Sequence, residues 1–559
     1  MTSKNKLIYL PLGGAGEIGM NMYLYGYGPK GKERFILADV GVTFPAMDGT
    51  PGVDLIMADT KFIQERADRL DGIFITHAHE DHIGAIGLLW PHLNAPIYCR
   101  KFTAAVAKAK MEDRNQSSDM IEILPPYPEM KKVGRFKVGI LPVPHSIPEA
   151  SGLVIETPDQ RIIHTGDLKL DPNPVVGEPF NPKLFEDLGK KGVDVLVCDS
   201  TNIFSNKPGR SESTLVKPIA DMIKSANGMV VATTFASNVA RLKTLAQAGI
   251  DAGRSVCVLG RSMQKMLGYA HSTGVLDDFP PTVQLEDVPN IPRENLMLLV
   301  TGSQGEGRAA SAQLARGKYL GITMQDGDTF LFSSKTIPGN EVSVGRIINS
   351  FAMQGVNVID DSAEIYHVSG HANRPDLEEI HRLLKPKTLI PMHGEYRHLK
   401  EHSELAASKG IESLIVPNGS VVEIGDKGAK IVDHIETGRI YLDGSRLIGA
   451  YDGVVLDRIR MATRGTVAIS LVIEGTEVLG VWAEPIGLPE TEVYEDGLVE
   501  IIEEQVENTL LKSKAKLLKD DHEVEKLVSK VVTSVCKNEI GFLPISFLQT
   551  LVQLLKLVF

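Results

Sequence analysis

Cysteine is scarce in this 559-residue chain: Cys99, Cys198, Cys257 and Cys536 lie far apart and form no Cys-x-x-Cys pair. That excludes a disulfide framework and fits reduced, buried thiols in a cytoplasmic protein. Long uninterrupted apolar runs are missing too. Phe542–Phe559 is apolar but carries Pro544, Ser546, Gln549, Gln553 and Lys556, too short and too broken to span a bilayer. The opening Met1–Lys6 leads straight into a strand-like run, so neither a signal peptide nor a membrane association is predicted. Positive charge is not in excess. A formal net charge of −12 argues against a generic nucleic-acid coat, although it leaves room for a local basic groove. What is present, 43% hydrophobic and 23% charged residues, is the composition of an ordinary globular protein, long enough for two to four domains.

One stretch stands out, Thr76-His77-Ala78-His79-Glu80-Asp81-His82-Ile83-Gly84, with the pattern His-x-His-x-Asp-His. Gly72–Thr76 before it reads as a buried strand, so the ligand-type residues sit at a sheet edge. His77 and His79, two apart, point the same way in extended backbone and suit one cation. Asp81 and His82, where the chain turns into Ile83–Trp90, face a second position. Imidazoles and carboxylates in this spacing predict a binuclear zinc site. The bland alternative is a histidine-rich surface loop.

Other strand ends repeat the theme. Asp39 ends the strand-like Phe35–Asp39 and is expected to support the metal loop rather than bind metal. His145 is isolated among prolines in Leu141–Pro148. Asp167 closes Arg161–Asp167 and, with two oxygens, suits a bridge between metals; His164 within that strand is expected to pack. Asp199 ends the strand-like run within Val193–Thr201. His371 and His393 follow later, with a helical pattern between them. Gly14-Ala15-Gly16-Glu17-Ile18-Gly19 matches a dinucleotide fingerprint, but the tyrosine-rich Met20–Gly28 after it reads as a strand, not the required helix. Thr233–Asn238, Gly260–Ser262 and Thr301–Arg308 place Gly/Ser loops ahead of helical patterns, where backbone N–H groups can hold phosphate or merely cap a helix. His92 reads as a structural loop residue, and His381, His398 and His402 as solvated. Gly425–Lys430 and Leu442–Ser445 look like linker. Thr466–Ile473 and Glu477–Trp482 read as paired strands, and Leu498–Leu517 as an amphipathic helix.

Taken together, the Gly-Gly-x-Gly-Glu-Ile-Gly opening, His-x-His-x-Asp-His, lone His145, Thr-Gly-Asp, Asp-Ser-Thr, Ser-Gly-His and Met-His-Gly-Glu resemble the metallo-β-lactamase-fold nucleases of the β-CASP group, and among them the bacterial ribonuclease J family. The resemblance runs through essentially the full chain. It implies an α/β protein: a metallo-β-lactamase αββα sandwich in two parts (1–204 and 351–430), an inserted β-CASP α/β domain (205–350), a linker (431–450) and a small C-terminal α/β assembly domain (451–559). It implies two Zn2+ per subunit, with Mn2+ or Mg2+ as alternatives in activity. His77, His79 and His145 would hold one ion, Asp81, His82 and His393 the other, and Asp167 would bridge. Asp81, Asp199 and His371 would be catalytic. Ala236, Ser237, Asn238, His367, Val368, Ser369, Gly370 and His371 would contact substrate phosphate. Asp443 would be a ligand for the structural calcium that some relatives carry.

The resemblance further implies 5′→3′ exonucleolytic and endonucleolytic hydrolysis of RNA, with preference for a 5′-monophosphate. A homodimer or homotetramer formed through the C-terminal domain, and RNA-decay complex partners, belong to the same expectation. His393 favours RNA, because the DNA-repair branches carry valine at that position. The sequence departs from the family in Arg308–Ala312 and in the apolar Leu551–Phe559. Three alternatives stay open: a thioester or lactam hydrolase on the same fold, a DNA nuclease, and a non-catalytic scaffold.

Overall fold

A computed structural model describes residues 5–46, 49–425, 428–490 and 497–552. The chain forms two compact units, one from residues 1–43 and 57–439, the other from 44–56 and 440–559.

The first unit is framed by two sheets. One has eight strands, in the order Gly428–His434, Ser420–Gly425, Lys6–Gly13, Met22–Gly28, Arg34–Ala38, Leu70–Phe74, Ile97–Cys99 and Ile121–Ile123. The other has seven: Lys131–Val133, Phe136–Pro142, Ser151–Glu156, Arg161–His164, Val195–Asp199, Thr388–Met392 and Glu412–Ser413. Tyr9, Tyr23, Tyr25 and Phe74 of the first share one buried core with Phe136, Ile140, Val195 and Ile390 of the second. Val195–Asp199 and Thr388–Met392 are buried on both faces, which is why they read as continuous apolar runs. Helix Tyr396–Ser408 packs on Thr388–Met392, and helices Pro182–Lys191 and Arg374–Leu384 pack on one another. Asn373 and Asp376 start the last of these with a reciprocal capping box. This is the expected αββα sandwich.

The insertion builds its own parallel sheet, ordered Ser255–Leu259, Leu296–Val300, Val230–Thr233, Thr329–Phe332 and Asn357–Ile359, with an apolar core on each side. All three Gly/Ser loops leave the C-terminal ends of adjacent strands, where open α/β sheets bind ligands. The sheet runs past the expected boundary at 350, because Asn357–Ile359 pairs in parallel with Thr329–Phe332.

Other readings also change. Residues 431–450 are not open linker: Gly428–His434 pairs with Ser420–Gly425, and Arg439–Asp443 forms a hairpin with Arg446–Gly449. Polarity in these strands marks solvent-facing sides, which composition alone confuses with linker. The dinucleotide-like glycines start no helix: Ala15–Gly16 is a short strand paired with Gly394–Glu395, and strand Met22–Gly28 follows. His92 lies exposed on helix Ile86–Leu93, not in a loop.

In the second unit, strands Glu477–Ile486, Thr466–Glu474 and Ile545–Val552 form a sheet. Helices Leu498–Leu511 and Asp521–Ile540 bury Ile502, Val506, Val528 and Val532 with Val467, Ile469 and Leu471. The expected helix 498–517 therefore stops at Leu511, and a second, longer helix follows. Of the apolar C-terminal stretch, residues 553–559 lie outside the described residues, as do residues 1–4 of the chain start. Among the described residues no helix is long and apolar enough to cross a membrane. All four cysteines are buried and free.

Candidate metal centre

Three neighbouring parallel strands, Arg161–His164, Val195–Asp199 and Thr388–Met392, deliver Asp167, Asp199 and His393 to one sheet edge. From the other sheet, strand Leu70–Phe74 leads to His77 and His79, and a single helical turn, Glu80–Ile83, aims Asp81 and His82. His145 follows strand Phe136–Pro142. The result is two ligand groups sharing a carboxylate. His77, His79, His145 and Asp167 form one, Asp81, His82, Asp167 and His393 the other, and within each group the ligand atoms lie within 4.8 Å of one another.

In the first group His79 Nδ1 is 3.1 Å from both His77 Nε2 and His145 Nε2. In the second, His393 Nε2 is 3.0 Å from Asp81 Oδ2, and His82 Nε2 is 3.2 Å from Asp167 Oδ2. Asp167 Oδ1, 3.7 Å from His393 Nε2, is buried with no hydrogen-bond partner among the described residues. An unsatisfied buried carboxylate oxygen facing convergent imidazoles is the donor set a divalent cation completes. The residues fit a metal centre.

Each histidine is also held at its second nitrogen. Thr76 Oγ1 lies 3.0 Å from His77 Nδ1, Asp39 Oδ2 2.7 Å from His82 Nδ1, Gly370 O 2.6 Å from His145 Nδ1, Thr201 Oγ1 2.8 Å from His393 Nδ1 and Ser237 Oγ 3.1 Å from His79 Nε2. Such outer partners orient the rings and select the tautomer. Asp39 plays the expected supporting part, and it also accepts from Thr76 N and Oγ1. His393 sits at φ 51°, a left-handed conformation uncommon for a non-glycine residue. Its N–H donates to Gly14 O at 2.8 Å, so the glycine turn serves this site. At Gly370 a Cβ would fall 2.9 Å from His145 Cε1, which reserves the position for glycine.

Electrostatics divides the cluster. Burial drives His77 and His145 well below the usual imidazole pKa and brings His79 to about 4, leaving neutral rings with free lone pairs. For His82 and His393, burial is outweighed by Asp167 and Asp81, which raise both. The negative charge that holds protons there is the charge that would hold a cation.

Beside the cluster, His371 Nδ1 lies 2.7 Å from Asp199 Oδ2 and 3.9 Å from Asp167 Oδ2. Burial opposes its proton, but Asp199 and Asp167 overcome that and raise its pKa to about 9. Ser369 Oγ accepts from His371 N at 3.1 Å.

The expected phosphate contacts divide. Ser237 faces the cluster through His79, and Asn238 caps helix Val239–Asp251 by accepting from Arg241 N. Ala236 and Val368 pack on the insert's core. Around His367 the potential is positive. Burial first, then Arg241, Lys335, Lys169 and Arg210, push its pKa well below the usual value. Asp443 Oδ2 lies 2.6 Å from an Arg458 Nη, and the next residue, Gly444, donates its N–H to Asp54 Oδ2 at 2.8 Å. His164 is packed against Tyr23 and Tyr25, as expected.

Sequence reasoning misses Asn21, Thr76 and Thr201. Asn21 Nδ2 donates to Asp81 O at 3.1 Å and lies 3.0 Å from His82 Nε2. The two threonines lie inside the quoted motifs, Thr76 opening the histidine stretch and Thr201 closing Asp-Ser-Thr, but the sequence alone assigns them no role there. The solvated reading of His381, His398 and His402 is wrong: all three are buried. His398 packs on Phe204, and the other two meet each other because the polar faces of their helices turn inward.

Four family descriptions match the chain: "Beta-lactamase superfamily domain" over residues 48–234, "Ribonuclease J, beta-CASP domain" over 227–351, "Zn-dependent metallo-hydrolase RNA specificity domain" over 356–417 and "Ribonuclease J C-terminal domain" over 453–545. "Ribonuclease J" of Sinorhizobium meliloti is 40% identical over 516 residues, 91% of each chain. "Ribonuclease J 1" of Streptococcus pyogenes is 35% identical over 85% of each, and "Ribonuclease J" of Corynebacterium glutamicum 36% over 84% of this chain and 65% of its own. A solved structure of a protein of unknown function from Enterococcus faecalis V583 is similar in fold, with TM-score 0.51, 19% identity, and coverage of 75% of this chain and all of that one. With its inserted domain, its metal-ligand cluster and these relatives, the chain belongs to the ribonuclease J family, metal-dependent ribonucleases built on the metallo-β-lactamase fold.

Proposed function

We propose that this chain hydrolyses RNA phosphodiesters, removing mononucleotides from 5′-monophosphorylated ends and also cutting internally, with two zinc ions as the working metals. The observation that carries the reading is the contact between Ser237, at the insert's phosphate-type loop, and His79 of the cluster, 3.1 Å apart. A phosphate held at that loop and in the positive potential near His367 lies next to the metal ligands.

Bound divalent cations supply an activated water at neutral pH and neutralise charge on the phosphoryl oxygens. The protein's own groups do the rest. His77, His79, His145 and Asp167 hold one position; Asp81, His82, His393 and Asp167 hold the other. Asp81, partly open to solvent, orients the attacking water. His371, kept protonated by Asp199, donates its proton to the departing 3′ oxygen. The products carry a 5′-phosphate and a free 3′-hydroxyl. A structural calcium with Asp443 as a ligand stays part of the proposal, Asp443 keeping one carboxylate oxygen beyond its contact with Arg458. The half-exposed Trp482 and Phe547 on the C-terminal sheet support assembly of copies through that region, and the four free thiols support a cytoplasmic setting.

The test is a 5′-end-labelled, 5′-monophosphorylated RNA given to wild type and to His77→Ala. Labelled mononucleotide from wild type alone supports the reading. Internal fragments alone remove the phosphate pocket from it. Equal rates on deoxy substrates favour a DNA nuclease, and no cleavage by metal-loaded protein favours a scaffold.

A further inference from the structure

Behind the cluster and the insert's phosphate-type loops runs a chain of buried charges whose mutual pairing the chemistry above leaves unexplained. Lys169, Asp171, Glu212 and Arg241 are each at least 95% buried. Lys169 Nζ is 3.0 Å from Asp171 Oδ2 and 3.9 Å from Glu212 Oε2. Glu212 N donates to Asp171 Oδ2 at 2.9 Å. Arg241 donates to both Glu212 oxygens, Nε to Oε1 at 2.5 Å and an Nη to Oε2 at 3.0 Å. Its other Nη donates to Ser333 O at 2.7 Å and Ser333 Oγ at 3.1 Å, and lies 3.3 Å from His367 Nδ1.

Both ends of this chain are rooted in the site. Lys169 lies two residues after Asp167. Its backbone N–H donates to Pro144 O, beside His145, and Leu168 O accepts from Ala372 N, beside His371. At the far end Arg241 stands in the first turn of the helix that Asn238 caps, and Ser333 Oγ donates to Tyr366 O, beside His367. Besides the direct contacts of Ser237 with His79 and of Gly370 with His145, this buried ionic chain thereby joins the metal-ligand loops to the loops bearing Ser237 and His367.

Buried ion pairs are poor stabilisers, and well-packed apolar side chains of similar volume often serve stability as well or better. What the ions add is fixed geometry. A guanidinium is a rigid planar fork, and an ammonium cannot make the same set of bonds. We propose that Lys169–Glu212–Arg241 is a strut that sets the spacing between the metal centre and the 5′-phosphate pocket, with Arg241 as the positioning residue for end recognition. This deepens the functional reading above and rests on it.

The test compares wild type with Arg241→Lys, both full length and with metal content measured. Three readouts are taken: rates on RNAs identical except for a 5′-phosphate or 5′-hydroxyl, rates on a circular RNA that has no end, and calorimetric binding of uridine 5′-monophosphate. Arg241→Lys is expected to lose about tenfold or more of the 5′-phosphate preference and of mononucleotide affinity, in the direction of the roughly 10²-fold that an ångström of misplacement costs. Cleavage of the circle and metal content stay at the wild-type level. Equal loss on linear and circular RNA would mean a merely structural role and overturn the strut, as would an unchanged preference in folded, metal-loaded Arg241→Lys. A wild type indifferent to its 5′ end overturns the phosphate reading and the strut with it, so the two failures are distinguishable. If Arg241→Lys does not fold, Glu212→Gln, which keeps the shape and removes the charge, carries the same readouts.

Discussion

Two sets of histidines lie buried in the same unit at the same spacing, yet only one can hold a metal. In the cluster, His79 Nδ1 stands 3.1 Å from His77 Nε2 and from His145 Nε2. Behind it, His381 Nε2 and His402 Nε2 are also 3.1 Å apart, their rings stacked at 11°. Burial keeps both of the latter neutral, taking His381 to about 4 and His402 well below the usual range. The difference is the company. Asp167 joins both cluster groups, whereas His402 Nδ1 meets Ser200 Oγ at 2.9 Å, and His381 Nδ1 has no hydrogen-bond partner among the described residues. Convergent imidazoles are therefore not enough. A dication also needs anionic oxygen in the same shell to repay its desolvation.

That contrast can be broken experimentally, beginning with its strongest arm. His77→Ala removes a ligand outright, and activity and stoichiometric metal should both fall by more than the roughly 100-fold typical of an outer partner; metal analysis beside the RNA assay checks this. His371→Ala should cost about 10²–10⁴-fold in rate, the range of general acid catalysis, with bound metal unchanged. Loss of metal there would make His371 a ligand instead. Asp39→Asn leaves every ligand in place but weakens the hold on His82, so metal affinity should drop about 10–100-fold by competition with a chelating dye. His402→Phe sharpens the comparison from the other side. It strands His381 Nε2 and leaves Ser200 Oγ only its 3.3 Å bond to Cys198 O, so the unfolding free energy should fall by about 1–3 kcal/mol with metal content intact. A metal deficit in that variant would erase the distinction between the two sets.

The ligand cluster was legible because its chemistry is confined to a few residue types and its spacing follows strand geometry. His77 and His79 share a direction because alternate residues of extended chain do, and Asp167, Asp199 and His393 each follow an apolar run that reads as a strand. The parallel sheet of the insert was legible through its alternation of apolar runs and helical patterns. Less legible were features whose cause lies elsewhere in the chain. His381 and His402 stand on helices whose polar faces looked solvent-directed, and only the packing of those helices turns them inward. The strands within 428–449 read as linker because their partners supply the pairing.

By itself, then, the sequence pointed to His77, His79, Asp81, His82 and Asp167 as ligand-type residues, with His145 and His393 added by the family resemblance, and to the layered α/β class and the apolar runs ahead of them, since side-chain chemistry and local backbone period are written in the chain itself. Tertiary structure alone decided the partners Thr76, Thr201 and Asn21, the pairing of Asp443 with Arg458, and the buried path from Lys169 through Glu212 to Arg241. The physical reason is range. A periodic pattern records which face a residue occupies, but the worth of a charge or a hydrogen bond depends on what distant chain brings within 3–4 Å of it and on how much water is left there.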